Sequence, residues 1–299
     1  MSNSFTTRRE VLRASLAGAA GLATGVSFTA AAHAQGANPQ GALAGNIRHS
    51  VARWTYDFLS LDELCTLVQE TGFSAIDLVG SEDWPTLAAN GIDCSMCNGA
   101  ELNLTDGWAD PQFHPALIER YRAHIDLVAD PGYVHLICFS GNRRDMDPED
   151  GLRAAEAGLK EIIGQAEERS VMLHMELLNS KVNHPDYLCD NTAWGIELCR
   201  RIGSPNFKLL YDIYHMQISE GDIIRTIRDN HEYFGHYHTA GNPGRNEIDN
   251  TQELNYPAIC RAIVETGFTG YVAQEFIPRD KTPDAAAASL RQAIEICDV

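Results

Sequence analysis

The sequence predicts an α/β protein built as a single (β/α)8 barrel, and three observations carry that prediction. Eight short apolar runs alternate with amphipathic stretches of helical period. Successive runs start about 32 residues apart, close to the ~30-residue length of a βα unit. No strand-rich half and no compositional break divides the chain, which favours one barrel. The competing fold, an open doubly wound sheet, normally places a glycine-rich phosphate loop after its first strand. Here Ser50-Val-Ala-Arg-Trp54 supplies none.

Taken in order, the expected strands are 50–54, 75–79, 92–96, 133–139, 171–177, 207–211, 233–238 and 271–276. Each is rich in apolar residues and too short for a stable helix. Between them, 61–71 has the 3.6-residue period and is closed by Gly72. Pro148-Glu149-Asp150 opens a helix with acids in its first turn, expected to run to Arg169. Helices are also expected over 192–202 and 256–266. Glu70-Thr-Gly72-Phe and Glu265-Thr-Gly267-Phe repeat one helix-to-strand joint, with glycine as the left-handed cap.

Residues 1–34 stand apart as a targeting segment. Arg8-Arg9 opens a twin-arginine pattern, an Ala/Gly-rich weakly apolar stretch follows, and Ala32-His33-Ala34 is an A-x-A cleavage site. The stretch is too poor in large apolar residues for a membrane span, so a removed signal is expected, with no membrane attachment afterwards. The segment resembles a Tat signal, which implies the Tat export machinery as a partner and a periplasmic or secreted destination. Residues 35–46 read as a flexible lead-in, leaving 47–299 for the barrel.

Without the signal the chain holds 20 basic and 40 acidic residues, a net charge of −20. Such a field repels phosphate backbones and argues against nucleic-acid binding. The eight cysteines are scattered through apolar runs as small core residues. Cys94-Ser-Met-Cys97 is a C-x-x-C, but it closes a strand-like run and does not open a helix as a redox pair does.

Active sites of (β/α)8 barrels lie at the carboxyl ends of the strands. Those ends carry Glu176, Asp212, His238 and Glu275 on the fifth to eighth strands. Three carboxylates and one imidazole form a hard, oxygen-rich donor set suited to one divalent ion. Mn²⁺ and Mg²⁺ are the expected occupants, with Co²⁺ and Zn²⁺ as alternatives. For a single strand-end aspartate, helix capping is an equally good explanation; four successive strand ends are harder to explain so. His236 is either a metal partner or a core histidine. Asn179, Lys181 and His184 follow the fifth strand, Glu101 and Asn103 follow the third, and His135 lies within the fourth. Arg245, in the turn-rich loop after the seventh strand, is placed to clamp a carboxylate. Trp54, Trp84 and Trp108 are candidates for pocket walls or for core packing.

The motifs Met175-Glu176-Leu-Leu-Asn179, Asp212-Ile-Tyr-His215-Met-Gln217, Gly235-His236-Tyr-His238, Gly244-Arg245-Asn-Glu247 and Gln274-Glu275-Phe276 resemble the xylose-isomerase-like TIM-barrel superfamily. Within it the chain is most similar to the hydroxypyruvate isomerase family. The resemblance implies one divalent ion held by Glu176, Asp212, His238 and Glu275. It makes Glu176 and Glu275 the acid/base pair, with His215 and Arg245 contacting a small-molecule substrate. Two departures matter. Hydroxypyruvate isomerases usually carry Gln where this chain has His238. Ketose 3-epimerases carry His there, but also a second Glu where this chain has Val182.

The expected reaction is therefore a metal-dependent isomerisation through an enediolate, hydroxypyruvate giving 2-hydroxy-3-oxopropanoate. The alternatives are a ketose 3-epimerase, an inosose-type dehydratase and a non-catalytic exported sugar-binding barrel. A homo-oligomer is compatible with all of them.

Overall fold

A parallel pair of strands needs a crossover connection, and the alternation of apolar runs with amphipathic stretches supplies the seven that join eight strands. The computed structural model describes residues 43–299; the twin-arginine segment and most of the lead-in fall outside the described residues. The strands are β1 (Arg48–Ala52), β2 (Ala75–Val79), β3 (Asp93–Cys97), β4 (His135–Cys138), β5 (Met172–Glu176), β6 (Phe207–Asp212), β7 (Phe234–Thr239) and β8 (Tyr271–Gln274). They pair in sequence order, all parallel, and β1 pairs with β8 to close the barrel. The intervening helices are α1 (Leu61–Thr71), α2 (Trp84–Ala89), α3 (His114–Ala129), α4 (Pro148–Lys160), α5 (Ile163–Glu168), α6 (Thr192–Ile202), α7 (Ile213–Ser219), α8 (Ile223–Asn230), α9 (Tyr256–Glu265) and α10 (Pro283–Cys297). Among the described residues no helix is long and apolar enough to cross a membrane.

Local chemistry sets the helix ends. Ser60 and Glu63 form a reciprocal capping box on α1, which Gly72 closes at φ +87°. Gly267 takes the same left-handed conformation after α9, so the repeated E-T-G-F joint is one solution used twice. The helix expected over 148–169 is two. The amides of Glu161 and Ile162 bond three residues back, to Gly158 and Leu159. That tightening rotates the chain so that Ile162 and Ile163, adjacent in sequence, are both buried.

The first strand ends earlier than expected. The backbone turns at Ala52 into a 3-10 turn (Arg53–Tyr56), tied by Thr55 Oγ1 to the Ala52 carbonyl at 3.0 Å. Trp54 thereby leaves the wall and stays 40% exposed. At the other end of the chain, Ala44 donates its amide to Asp298 and Asn46 its side chain to the Val299 carbonyl.

Apolar packing lies mainly between sheet and helices, with Leu64, Val68, Leu159, Leu198, Ile263 and Leu290 all buried there. The lumen is unusually polar. Asp77, Ser95, His174, His236 and His238 are fully buried, and contacts between β2 and β7, which are not neighbours, cross the barrel axis.

Candidate metal centre and active site

Parallel strands expose their last residues on one rim, and four consecutive strands place the donors there. Glu176 ends β5, Asp212 ends β6, His238 is the penultimate residue of β7, and Glu275 directly follows β8. One donor atom from each lies within 4.8 Å of every other, and all four residues are buried. His238 Nδ1 faces Glu176 Oε1 at 3.2 Å, Glu275 Oε2 at 3.3 Å and Asp212 Oδ2 at 3.9 Å. Glu176 Oε1 and His238 Nδ1 are buried without a well-formed hydrogen bond. Unpartnered buried polar atoms are costly, and so are three clustered carboxylates. A divalent cation satisfies both, and the donor set fits one.

Asp212 has two jobs. Its Oδ1 caps α7 by accepting the amide of His215 at 2.9 Å, while Oδ2 faces the cluster. The capping explanation of this residue holds, and it leaves the second oxygen turned to the cluster. The cap also swings His215 back over the rim. His215 Nδ1 lies 3.3 Å from the backbone amide of Asn179, which can only donate, so the ring proton sits on Nε2. Among the described residues that Nε2 has no hydrogen-bond partner; it lies 3.8 Å from Asp212 Oδ2.

Within the cluster Glu275 is the most firmly held acid. Trp54 Nε1 donates to its Oε1 at 2.8 Å and Arg245 Nη2 to its Oε2 at 2.5 Å. Burial pushes its carboxyl up, but Arg245 and His238 outweigh burial and hold it well below the usual range. Burial, then Glu275, pushes Asp212 up to about 8. Glu176 is likewise raised by burial, against the pull of His238. Like charges in one buried site separate in this way. Arg245 sits at φ +57° between the rings of Trp54 and Tyr214, 5.1 and 5.6 Å from their centroids, with Nε unpartnered.

The structure brings all six sequence candidates, Glu176, Asp212, His215, His238, Arg245 and Glu275, to one rim. Others lie elsewhere. Trp84 packs on Tyr133 and Trp108 on Tyr121, so of the three tryptophans only Trp54 touches the cluster. Lys181 caps the carbonyls of Ile218 and Ser219, Asn103 organises its own turn, and Glu101 accepts from the Gly99 amide. His184 stands against His215, ring centroids 5.1 Å apart. His135 bonds His174 at 2.8 Å, below the rim. Cys94 and Cys97 are buried thiols with sulfurs 3.6 Å apart. Val182 points outward, 64% exposed.

Asp77 is absent from the candidates read from the sequence. It accepts from His238 Nε2 at 2.9 Å and from Ser95 Oγ at 2.6 Å, and His236 Nε2 lies 2.9 Å away. Burial opposes its ionisation, yet His236 and His238 hold its carboxyl far below the usual range. The available signal was an acid in the middle of Ala-Ile-Asp-Leu-Val.

A closed parallel barrel with a carboxylate-rich cluster at its C-terminal rim defines a (β/α)8 barrel whose rim could hold a metal ion. The chain belongs to the xylose isomerase-like TIM barrel family, whose model matches residues 59–296. Among relatives, it is 30% identical over 241 residues to a putative hydroxypyruvate isomerase of Danio rerio, covering 81% of this chain and 83% of that one. A putative hydroxypyruvate isomerase of Homo sapiens is 32% identical over 108 residues, so the match spans only 39% of that protein and 36% of this chain. A 2-oxo-tetronate isomerase of Pectobacterium atrosepticum is 27% identical, covering 72% of this chain and 86% of that one. A crystal structure titled AP endonuclease, family 2, from Brucella melitensis superposes with a TM-score of 0.71 at 22% identity, over 81% of this chain and 97% of that one. That likeness is one of fold.

Proposed function

We propose that this protein is a metal-dependent isomerase of small 2-oxo acids, interconverting a 3-hydroxy-2-oxo acid and its 2-hydroxy-3-oxo isomer. Hydroxypyruvate, giving 2-hydroxy-3-oxopropanoate, is the preferred substrate of this reading. The observation that carries it is the convergence of Glu176, Asp212, His238 and Glu275 on one buried point beside Arg245. The names of the relatives from Danio rerio and Homo sapiens support the choice of substrate.

Glu176, Asp212, His238 and Glu275 would hold a divalent cation, which would supply Lewis-acid stabilisation of negative charge on the substrate oxygens. The chain's own groups do the rest. Arg245, with Nε unpartnered, binds the substrate carboxylate and orients C2 and C3 over the glutamates. One glutamate takes a proton from C3, the hydroxyl proton passes from O3 to O2, and the opposite glutamate, or the same one, returns a proton to C2. His215 Nε2–H donates to the oxygen on which negative charge grows. The rim tryptophan Trp54 covers Glu275 and limits water.

The 2-oxo-tetronate isomerase relative favours a second reading, the same proton shift on a longer 2-oxo acid. Ketose 3-epimerisation is less well supported, because Val182, where an epimerase would place a further glutamate, points to solvent.

The deciding experiment is proton NMR in D₂O with residues 35–299, stripped of metal and reloaded with Mg²⁺. Metal-dependent deuterium incorporation beside the carbonyl, with conversion of hydroxypyruvate, is the expected result. Exchange with a ketose alone would replace the isomerase reading by an epimerase. Binding without any exchange would replace it by a sugar-binding barrel. We also propose export through the twin-arginine segment. Replacing Arg8 and Arg9 by Lys should retain the protein in the cytoplasmic fraction, and unchanged fractionation would refute export.

A further inference from the structure

An imidazole that ligates a metal through one nitrogen must carry its proton on the other. The partner of that second nitrogen therefore decides which face of the ring is a donor. For His238 the ligand-facing atom is Nδ1, turned toward Glu176, Asp212 and Glu275. Its Nε2 points the other way, down the barrel axis, 2.9 Å from Asp77 Oδ1. We propose that Asp77 is the positioning residue of the metal centre, holding His238 in the Nε2–H form so that the Nδ1 lone pair completes the donor set. The proposal rests on the metal-centre reading above.

Three further observations single out Asp77. It comes from β2, which pairs with β1 and β3 and not with β7, so its contact with His238 spans the lumen and serves no strand pairing. Its other oxygen is fixed as well: Ser95 donates from β3 at 2.6 Å, and His236 Nε2 stands 2.9 Å away. The carboxylate is thus anchored from two strands before it reaches His238. Finally, β2 is irregular here. Its register with β3 slips on both sides of Asp77, and Leu78 adopts φ +56°, a left-handed conformation that L residues seldom take. A strained residue inside a buried strand re-aims its neighbour, and that neighbour is Asp77.

Asp77, His236 and His238 also lie close enough to act as donors themselves, so a second cation is the competing explanation. Metal stoichiometry separates the two. The experiment is calorimetric Mn²⁺ titration of the wild type, Asp77→Asn, His238→Gln and the double variant. One equivalent should bind to the wild type, and Asp77→Asn should weaken it about 10- to 100-fold. In the His238→Gln background, Asp77→Asn should change affinity by less than about twofold, because Asp77 acts through the imidazole. A merely structural aspartate would weaken binding equally in both backgrounds. ¹⁵N NMR of Mg²⁺-loaded wild type should show His238 protonated on Nε2 and not on Nδ1. A His238 without that proton overturns the assignment even if Asp77→Asn fails to fold.

Tight Mn²⁺ binding untouched by Asp77→Asn, additive losses in the double variant, or a His238 bearing no proton on Nε2 would each overturn the assignment. Two equivalents, one of them lost in Asp77→Asn, would establish the second cation instead. A wild type that binds no metal would sink the metal-centre reading, and this one with it.

Discussion

Glu275 and Asp212 share a buried site and differ because of what touches them. Glu275 has Arg245 and Trp54 on its oxygens and stays ionised; Asp212 has no cation so close. A positioned general acid or base contributes typically 10²–10⁴-fold to rate. Glu176→Gln and Glu275→Gln should each lower kcat by about that much, as measured by deuterium exchange from labelled substrate. Full activity in either variant would remove that glutamate from the chemistry. Asp212 makes a separate prediction about stability. Its folded pKa, about 8, lies above the unfolded value near 4. Folding therefore favours the protonated acid, a contribution complete below about pH 4 and lost as pH rises through about 8. Metal-free protein should show a thermal midpoint that falls between pH 6 and 9. Asp212→Asn should flatten that decline.

At the scale of elements, the donors ride on strand ends while Arg245 rides on a loop. The loop after β7 is held tightly: Gly241 accepts the Arg245 amide at 2.8 Å, and its own amide bonds the Asn246 carbonyl at 2.7 Å. A Cβ at Gly241 would lie 2.4 Å from the Glu247 carbonyl oxygen, a backbone atom that cannot swing away. Gly241→Ala should destabilise the protein by about 1–3 kcal/mol and displace Arg245. Steady-state kinetics should show KM for the 2-oxo acid rising at least about tenfold, with Mn²⁺ affinity unchanged. Parallel losses of both would mean that the loop and the metal cluster are one unit. The same contrast explains what could be read from the chain. The ends of β5 to β8 were legible because alternation and apolar runs mark strands, and a polar residue closing each run is conspicuous. The bend at Ala52 and the break between α4 and α5 were not. Both are made by local bonds spanning three residues, which apolar periodicity does not register.

For the molecule as a whole, the proposed metal centre predicts a stability that depends on a cation. A ligand that binds only the folded state at 100 times its Kd contributes about 2.7 kcal/mol. Mn²⁺ at that ratio should raise the thermal midpoint by roughly 5–10 °C, and EDTA should reverse the shift. A midpoint indifferent to Mn²⁺, Mg²⁺, Co²⁺ and Zn²⁺ would count against the cluster as a metal centre.

The eightfold βα alternation, hence the closed barrel, and the identity of the rim residues Glu176, Asp212, His238 and Glu275 are legible along the chain alone. Local period and strand-end position are properties of short segments, so they survive without a structure. Folding alone settles which way His238 points, that Asp77 faces it across the lumen, and that Trp54 and Arg245 share Glu275 between them. Those contacts join residues 30 to 221 positions apart, and closure of the barrel, not any local preference, brings them together.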